Sequence, residues 1–136
     1  QIFIRPETKG LKPRVPFHDL QEIFSINQWR NLAGKGEGYP LAIRSSTWIL
    51  DIQMTEGNLQ TLPEIELENP SCLFYVFKGK IKVNNDVALQ TGESLIIENE
   101  NPTFGALETS DVVLFVTDKN AVFYKGGMYS GNQQRY

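Results

Sequence analysis

Cysteine occurs once in the chain, as Cys72, and histidine once, as His18. A lone cysteine closes no internal disulfide, so the fold does not depend on an oxidising compartment. A single histidine supplies one nitrogen donor, whereas zinc and iron sites need several nitrogen, sulfur or carboxylate donors converging. A basic surplus is also missing: 13 lysines and arginines face 16 acidic residues, for a net charge of −3, which argues against a nucleic-acid module. The longest wholly apolar run, residues 112–116, falls far short of the roughly 20 residues that span a bilayer. No basic stretch followed by an apolar stretch opens the chain, so no secretory leader is expected. At 21% charged and 40% hydrophobic residues the composition is too apolar for disorder. The expectation is one compact soluble domain of 136 residues, at home in the cytoplasm, with neither a nucleic acid nor a membrane as partner.

Within that domain, residues 1–17 carry Pro6, Gly10, Pro13 and Pro16 and no periodicity, and read as an extended arm or linker. The opening Gln1-Ile2-Phe3-Ile4-Arg5 has strand-like alternation and no initiating methionine, as though cut from something longer. Phe17, Leu20, Ile23 and Phe24 are spaced for a short helix, with Trp29 and Leu32 in a first strand. Beyond Pro40 the period becomes two. Trp48, Leu50, Ile52 and Met54 form one inward row, and Leu73, Tyr75, Phe77, Ile81 and Val83 a second, with Lys78, Lys80 and Lys82 opposite. Asn84-Asn85-Asp86 suits a tight hairpin, and Thr91-Gly92-Glu93 a second turn before the strand Leu95-Ile96-Ile97. Strands are expected at 104–107, 112–116 and 121–124, then a polar tail over 126–136. Short strands with a turn about every ten residues point to an antiparallel sandwich or barrel. The run 112–116 has no polar side, so both its faces need cover. The interior is one cover; the arm, a second domain or a second subunit is the other.

The order Leu73-Phe74-Tyr75-Val76-Phe77-Lys78-Gly79-Lys80-Ile81-Lys82-Val83-Asn84, then Leu89-Gln90-Thr91-Gly92-Glu93, resembles the paired sequence stretches of cupins. That resemblance implies an all-β, cupin-type antiparallel β-sandwich or barrel (jelly roll) with an extended N-terminal arm. Ile2-Phe3-Ile4-Arg5-Pro6 with Gly10-Leu11-Lys12-Pro13 is similar to the linker between the two barrels of pirin-like bicupins, often named quercetin 2,3-dioxygenases. Gln28-Trp29-Arg30-Asn31-Leu32-Ala33 resembles the opening of their second barrel. The implied organisation is a linker over 1–17, a barrel over 18–125 and a tail over 126–136. Family metal sites use three histidines and a glutamate. Here Leu62-Pro63-Glu64-Ile65-Glu66 stands where two histidines belong, Cys72 in the glutamate slot, and Thr103 or Phe104 at the later histidine. The resemblance therefore implies no cofactor in this chain, and a divalent transition metal in the first barrel of the parent. That parent would be a dioxygenase opening a flavonol ring with O2.

No catalytic, cofactor-binding or metal-binding residue is expected. Cys72 lacks a neighbour that would activate its thiol, Glu64, Glu66 and Glu68 read as a solvated ladder, the three lysines as a charged outer face, and His18 as an arm residue. Three functions remain open. The chain is a metal-free C-terminal cupin domain packed against the N-terminal barrel of its parent, a stand-alone barrel binding a small molecule in an interior pocket lined by Trp48, Tyr75 and Phe77, or a non-enzymatic interaction or regulatory module. An unpaired arm strand would also offer a homodimer contact.

Overall fold

The computed structural model describes residues 2–126, so the expected tail beyond Gly126 lies outside the described residues. Ten strands are present: β1 (Arg30–Lys35), β2 (Leu41–Ile43), β3 (Thr47–Met54), β4 (Leu59–Gln60), β5 (Pro70–Lys78), β6 (Lys80–Val83), β7 (Val87–Gln90), β8 (Ser94–Ile97), β9 (Phe104–Ala106) and β10 (Ser110–Asp118). They form a six-stranded sheet in the order β2-β1-β3-β10-β5-β8 and a four-stranded sheet in the order β4-β9-β6-β7. All pairings between these strands are antiparallel except the short β1–β2 contact, and an isolated parallel bridge joins Ile26 to Gln53 of β3. No helix is long and apolar enough to cross a membrane among the described residues.

The core lies between the sheets. Leu50, Ile52 and Met54 of β3, Cys72, Phe74 and Val76 of β5, and Val112, Leu114 and Val116 of β10 point into it. Ile81, Val83, Leu89, Phe104 and Ala106 meet them from the smaller sheet. At its centre the Phe74 and Phe104 rings stack 4.1 Å apart at 9°, and Trp29 meets Phe74 edge-on at 6.4 Å. Such pairs add about 0.5–1.5 kcal/mol beyond area burial.

The structure corrects the sequence reading in three places here: the register of β5, the helix after Phe17 and the strand over 121–124. The inward residues of β5 are Cys72, Phe74 and Val76, one step out of register with the expected Leu73, Tyr75 and Phe77; Phe77 is 64% exposed. A β-bulge explains the slip: Asp111 pairs with Lys78 and Val112 with Val76, so Phe77 is the extra residue, it and Lys78 both face outward, and the alternation restarts one step later. Gly79, at a φ of 94°, then turns the chain into β6, where Ile81 and Val83 do point inward. Beyond the bulge Lys78, Lys80 and Lys82 alternate with Gly79, Ile81 and Val83 and stay off the core side, Lys78 at the end of β5 and Lys80 and Lys82 on the outer side of β6.

Residues 17–29 form no helix. Their backbone is used elsewhere: Gln53 N–H donates to the Ser25 carbonyl and Asn27 N–H to the Gln53 carbonyl. Arg30 holds Asp51 through two hydrogen bonds of 2.9 and 2.6 Å and donates to the carbonyls of Glu22 and Ile23. These contacts fix the segment as an irregular strap beside β3. Residues 121–124 likewise form no strand; the Tyr124 N–H donates instead to the Pro6 carbonyl of the arm. The hairpin expected at Asn84 and Asn85 is present, with both residues at positive φ.

Candidate functional site

Outside the barrel, the six-stranded sheet presents a second apolar surface. Register places Tyr75 opposite Val113, and Leu73 opposite Phe115, which also faces Ile49. Phe77 extends the row. Leu73, Tyr75, Phe77, Val113 and Phe115 floor a groove of about 1010 Å³, walled by residues 2–5 of the arm and by Phe123. The arm does not seal it: Ile2 and Phe3 are 60% and 58% exposed. Further along, the arm is fastened to its own barrel. Glu7 N–H donates to the Arg44 carbonyl at 3.1 Å, its carboxylate pairs with Lys35, and Arg14 donates to the Ala42 carbonyl at 3.0 Å. The polar-free run 112–116 is thus covered by the core on one side and only in part by the arm on the other.

The three expected pocket residues do not come together. Tyr75 and Phe77 line the outer groove, so their expected interior position is corrected. Trp48 belongs to the inward row of β3 and borders a separate 370 Å³ cleft with Tyr39, Leu50 and Val116. Val113 and Phe115 are not among the expected site residues, and Leu73 is expected only in the core row; the doubly apolar run 112–116 is the signal that points to Val113 and Phe115.

The positions that would carry cupin metal ligands hold side chains of another kind. Ile65 packs against the core, while Glu64 and Glu66 face solvent. Phe104 is wholly buried in the aromatic stack, Thr103 is exposed, and Cys72 is buried in β5. Among the described residues no three histidine, cysteine, aspartate or glutamate side chains converge. A lone thiol beside stacked phenylalanines is not a donor set for a catalytic metal. His18 is exposed.

Burial pushes the Cys72 thiol pKa up, which disfavours the reactive thiolate. Cys72 is therefore expected to react with a disulfide reagent in denaturant at least about a hundredfold faster than in the native domain. Equal rates in the two states would show the thiol to be accessible. A group whose folded pKa is raised contributes stability that is complete below its unfolded pKa and lost as pH rises through the folded value. Cys72 thus weakens the fold only on the alkaline side. Glu98 shifts the other way, lowered by its hydrogen bonds to Lys119 and Ser71.

Two sheets closing on one core in this strand order make the chain a cupin-type jelly-roll β-sandwich. No protein-family model and no curated protein matches it. Among solved structures it is similar to YhhW from Escherichia coli, with a TM-score of 0.69 and 18% identity over 82% of this chain and 46% of that one. A structure of bacterial pirin YhhW from Escherichia coli in complex with nickel(II) gives 0.66 and 20% over 83% and 47%. Quercetin 2,3-dioxygenase from Acinetobacter baumannii gives 0.54 and 22% over 74% and 35%. At these identities the likeness establishes the fold. The chain spans less than half the length of each of these proteins.

Proposed function

We propose that this chain is the metal-free C-terminal barrel of a pirin-like bicupin, and that its outer groove seats a metal-bearing N-terminal barrel of the same parent. The observation that carries this reading is the location of the apolar groove. It lies outside the barrel on Leu73, Tyr75, Phe77, Val113 and Phe115, while the barrel centre is occupied by the Phe74–Phe104 stack. An exposed apolar face of this kind marks a site of association. Residues 2–5, in the stretch that resembles a linker between barrels, wall that face, and Pro6, Gly10 and Leu11 line an adjoining cleft that shares Phe3, Ile4 and Arg5 with it. In this reading the parent is a cytoplasmic metal-dependent dioxygenase of the quercetin 2,3-dioxygenase type. This chain contributes packing to it and no reacting group.

The reading is tested by producing the preceding barrel of the parent separately and measuring its association with this chain. Leu73→Asp together with Phe115→Asp places two charges on the groove floor and is expected to weaken association by at least about a hundredfold. Lys80→Glu, on the outer side of the other sheet, is expected to leave it unchanged. Undiminished association of the double variant would contradict the reading.

A further inference from the structure

Charge is strongly segregated along this chain. Arg5, Lys9, Lys12, Arg14, Lys35, Arg44 and Lys125 account for seven of the 13 basic residues, and the segments that carry them, 5–14, 35–44 and 124–126, hold only Glu7 and Glu37 of the 16 acidic ones. The fold brings these segments to one end. Pro6 and Glu7 bond to Tyr124 and Arg44, Arg14 to Ala42, Glu7 to Lys35, and Lys35 pairs in register with Ile43. Lys9, Lys12, Arg14 and Arg44 are exposed there. Apolar side chains stand among them: Phe3, Leu11 and Val122 are 58%, 36% and 81% exposed. The rest of the chain carries six basic residues against fourteen acidic ones.

We propose that this basic end docks an acidic peptide segment of a protein partner, one that carries apolar side chains between its carboxylates. Charge complementarity selects the anion, and the interleaved Phe3, Leu11 and Val122 give apolar side chains something to bury against. A nucleic acid fits less well. Its phosphates recur about every 1.7 Å along a duplex, so a strand long enough to bind would run off the basic end onto the acidic remainder of the surface. A short acidic segment stays within the patch. The inference shares Phe3 and Arg5 with the groove wall, but Lys9, Lys12 and Arg44, which its test changes, do not line the groove, so its failure and that of the bicupin reading are distinguishable.

The test uses the whole chain and a short fluorescent peptide alternating glutamate with leucine, followed by anisotropy. Binding is expected, and it should weaken by at least about tenfold between about 50 and 300 mM salt as screening sets in. Lys9→Glu with Lys12→Glu and Arg44→Glu should lower affinity at least about tenfold, whereas Lys78→Glu with Lys80→Glu and Lys82→Glu should not. Thermal melts of both triple variants check that folding is intact, and Lys9→Gln with Lys12→Gln gives a milder second variant with the same expected direction. No binding of the peptide, equal losses in the two triple variants, or tighter binding of a single-stranded DNA oligonucleotide than of the peptide would each overturn the proposal.

Discussion

Phe74→Ala is expected to cost about 3–5 kcal/mol, the range for removing a large aromatic from a packed core. Phe74 is wholly buried, stacks on Phe104 and takes the edge of Trp29, so its loss opens a cavity that both rings border. With a total stability of about 5–15 kcal/mol for a domain of this size, the variant falls close to the folding threshold. Phe77→Ala should behave quite differently. At 64% exposure it buries about a third of its side chain, worth about 0.5–1 kcal/mol. Denaturant melts of the two variants decide the register of β5. A large loss at Phe77 with a small one at Phe74 would put β5 one residue out.

Gly79→Ala is the second change with a large expected effect. Gly79 has a φ of 94°, a region that costs an L side chain about 1–2 kcal/mol. A Cβ there would also meet Ser110, lying 2.7 Å from its backbone Cα and against its hydroxyl. Ser110 cannot step aside, because its hydroxyl accepts from the Lys80 N–H at 2.9 Å and donates to the Glu108 carbonyl at 2.8 Å. Overpacking of this kind adds about 1–3 kcal/mol, for a total of about 2–5 kcal/mol. Gly92→Ala is the control: its φ is 87°, but nothing lies within 4 Å of the added carbon, so only the backbone cost of about 1–2 kcal/mol applies. Thermal melts showing equal losses at the two glycines would mean that the Ser110 contact does not constrain the corner.

These two residues also show how much of the molecule could be read in advance. The strands around Trp48–Met54, the Asn84–Asn85 turn and the run 112–116 were legible, because alternation and turn chemistry act locally. The register of β5 was not. Leu73, Tyr75 and Phe77 are as apolar as Phe74 and Val76, so alternation alone does not say which row faces in. The parity of Ile81 and Val83 holds back only as far as Lys78, because the bulge opposite Asp111 and Val112 leaves Phe77 and Lys78 both facing outward, which a straight-strand count does not contain. The helix expected after Phe17 had suitable spacing, but Arg30 draws the carbonyls of Glu22 and Ile23 to itself, a contact across sequence that periodicity does not contain. For the candidate site, the same ambiguity hid the outer groove: its floor was read as the interior. The need for cover on both faces of 112–116 was legible and led to the right surface, while the residues opposite it in β5 were placed on the wrong side.

Elemental analysis of the purified chain, after incubation with iron, nickel, copper or manganese and removal of excess ion, tests the central claim most directly. With Pro63, Ile65, Cys72 and Thr103 or Phe104 in the slots that the cupin resemblance assigns to ligands, fewer than about 0.1 equivalents of any of these metals should remain bound, and quercetin should not be consumed by the chain alone. About one tightly held equivalent of a single metal, lost when Cys72 is replaced by serine, would contradict it.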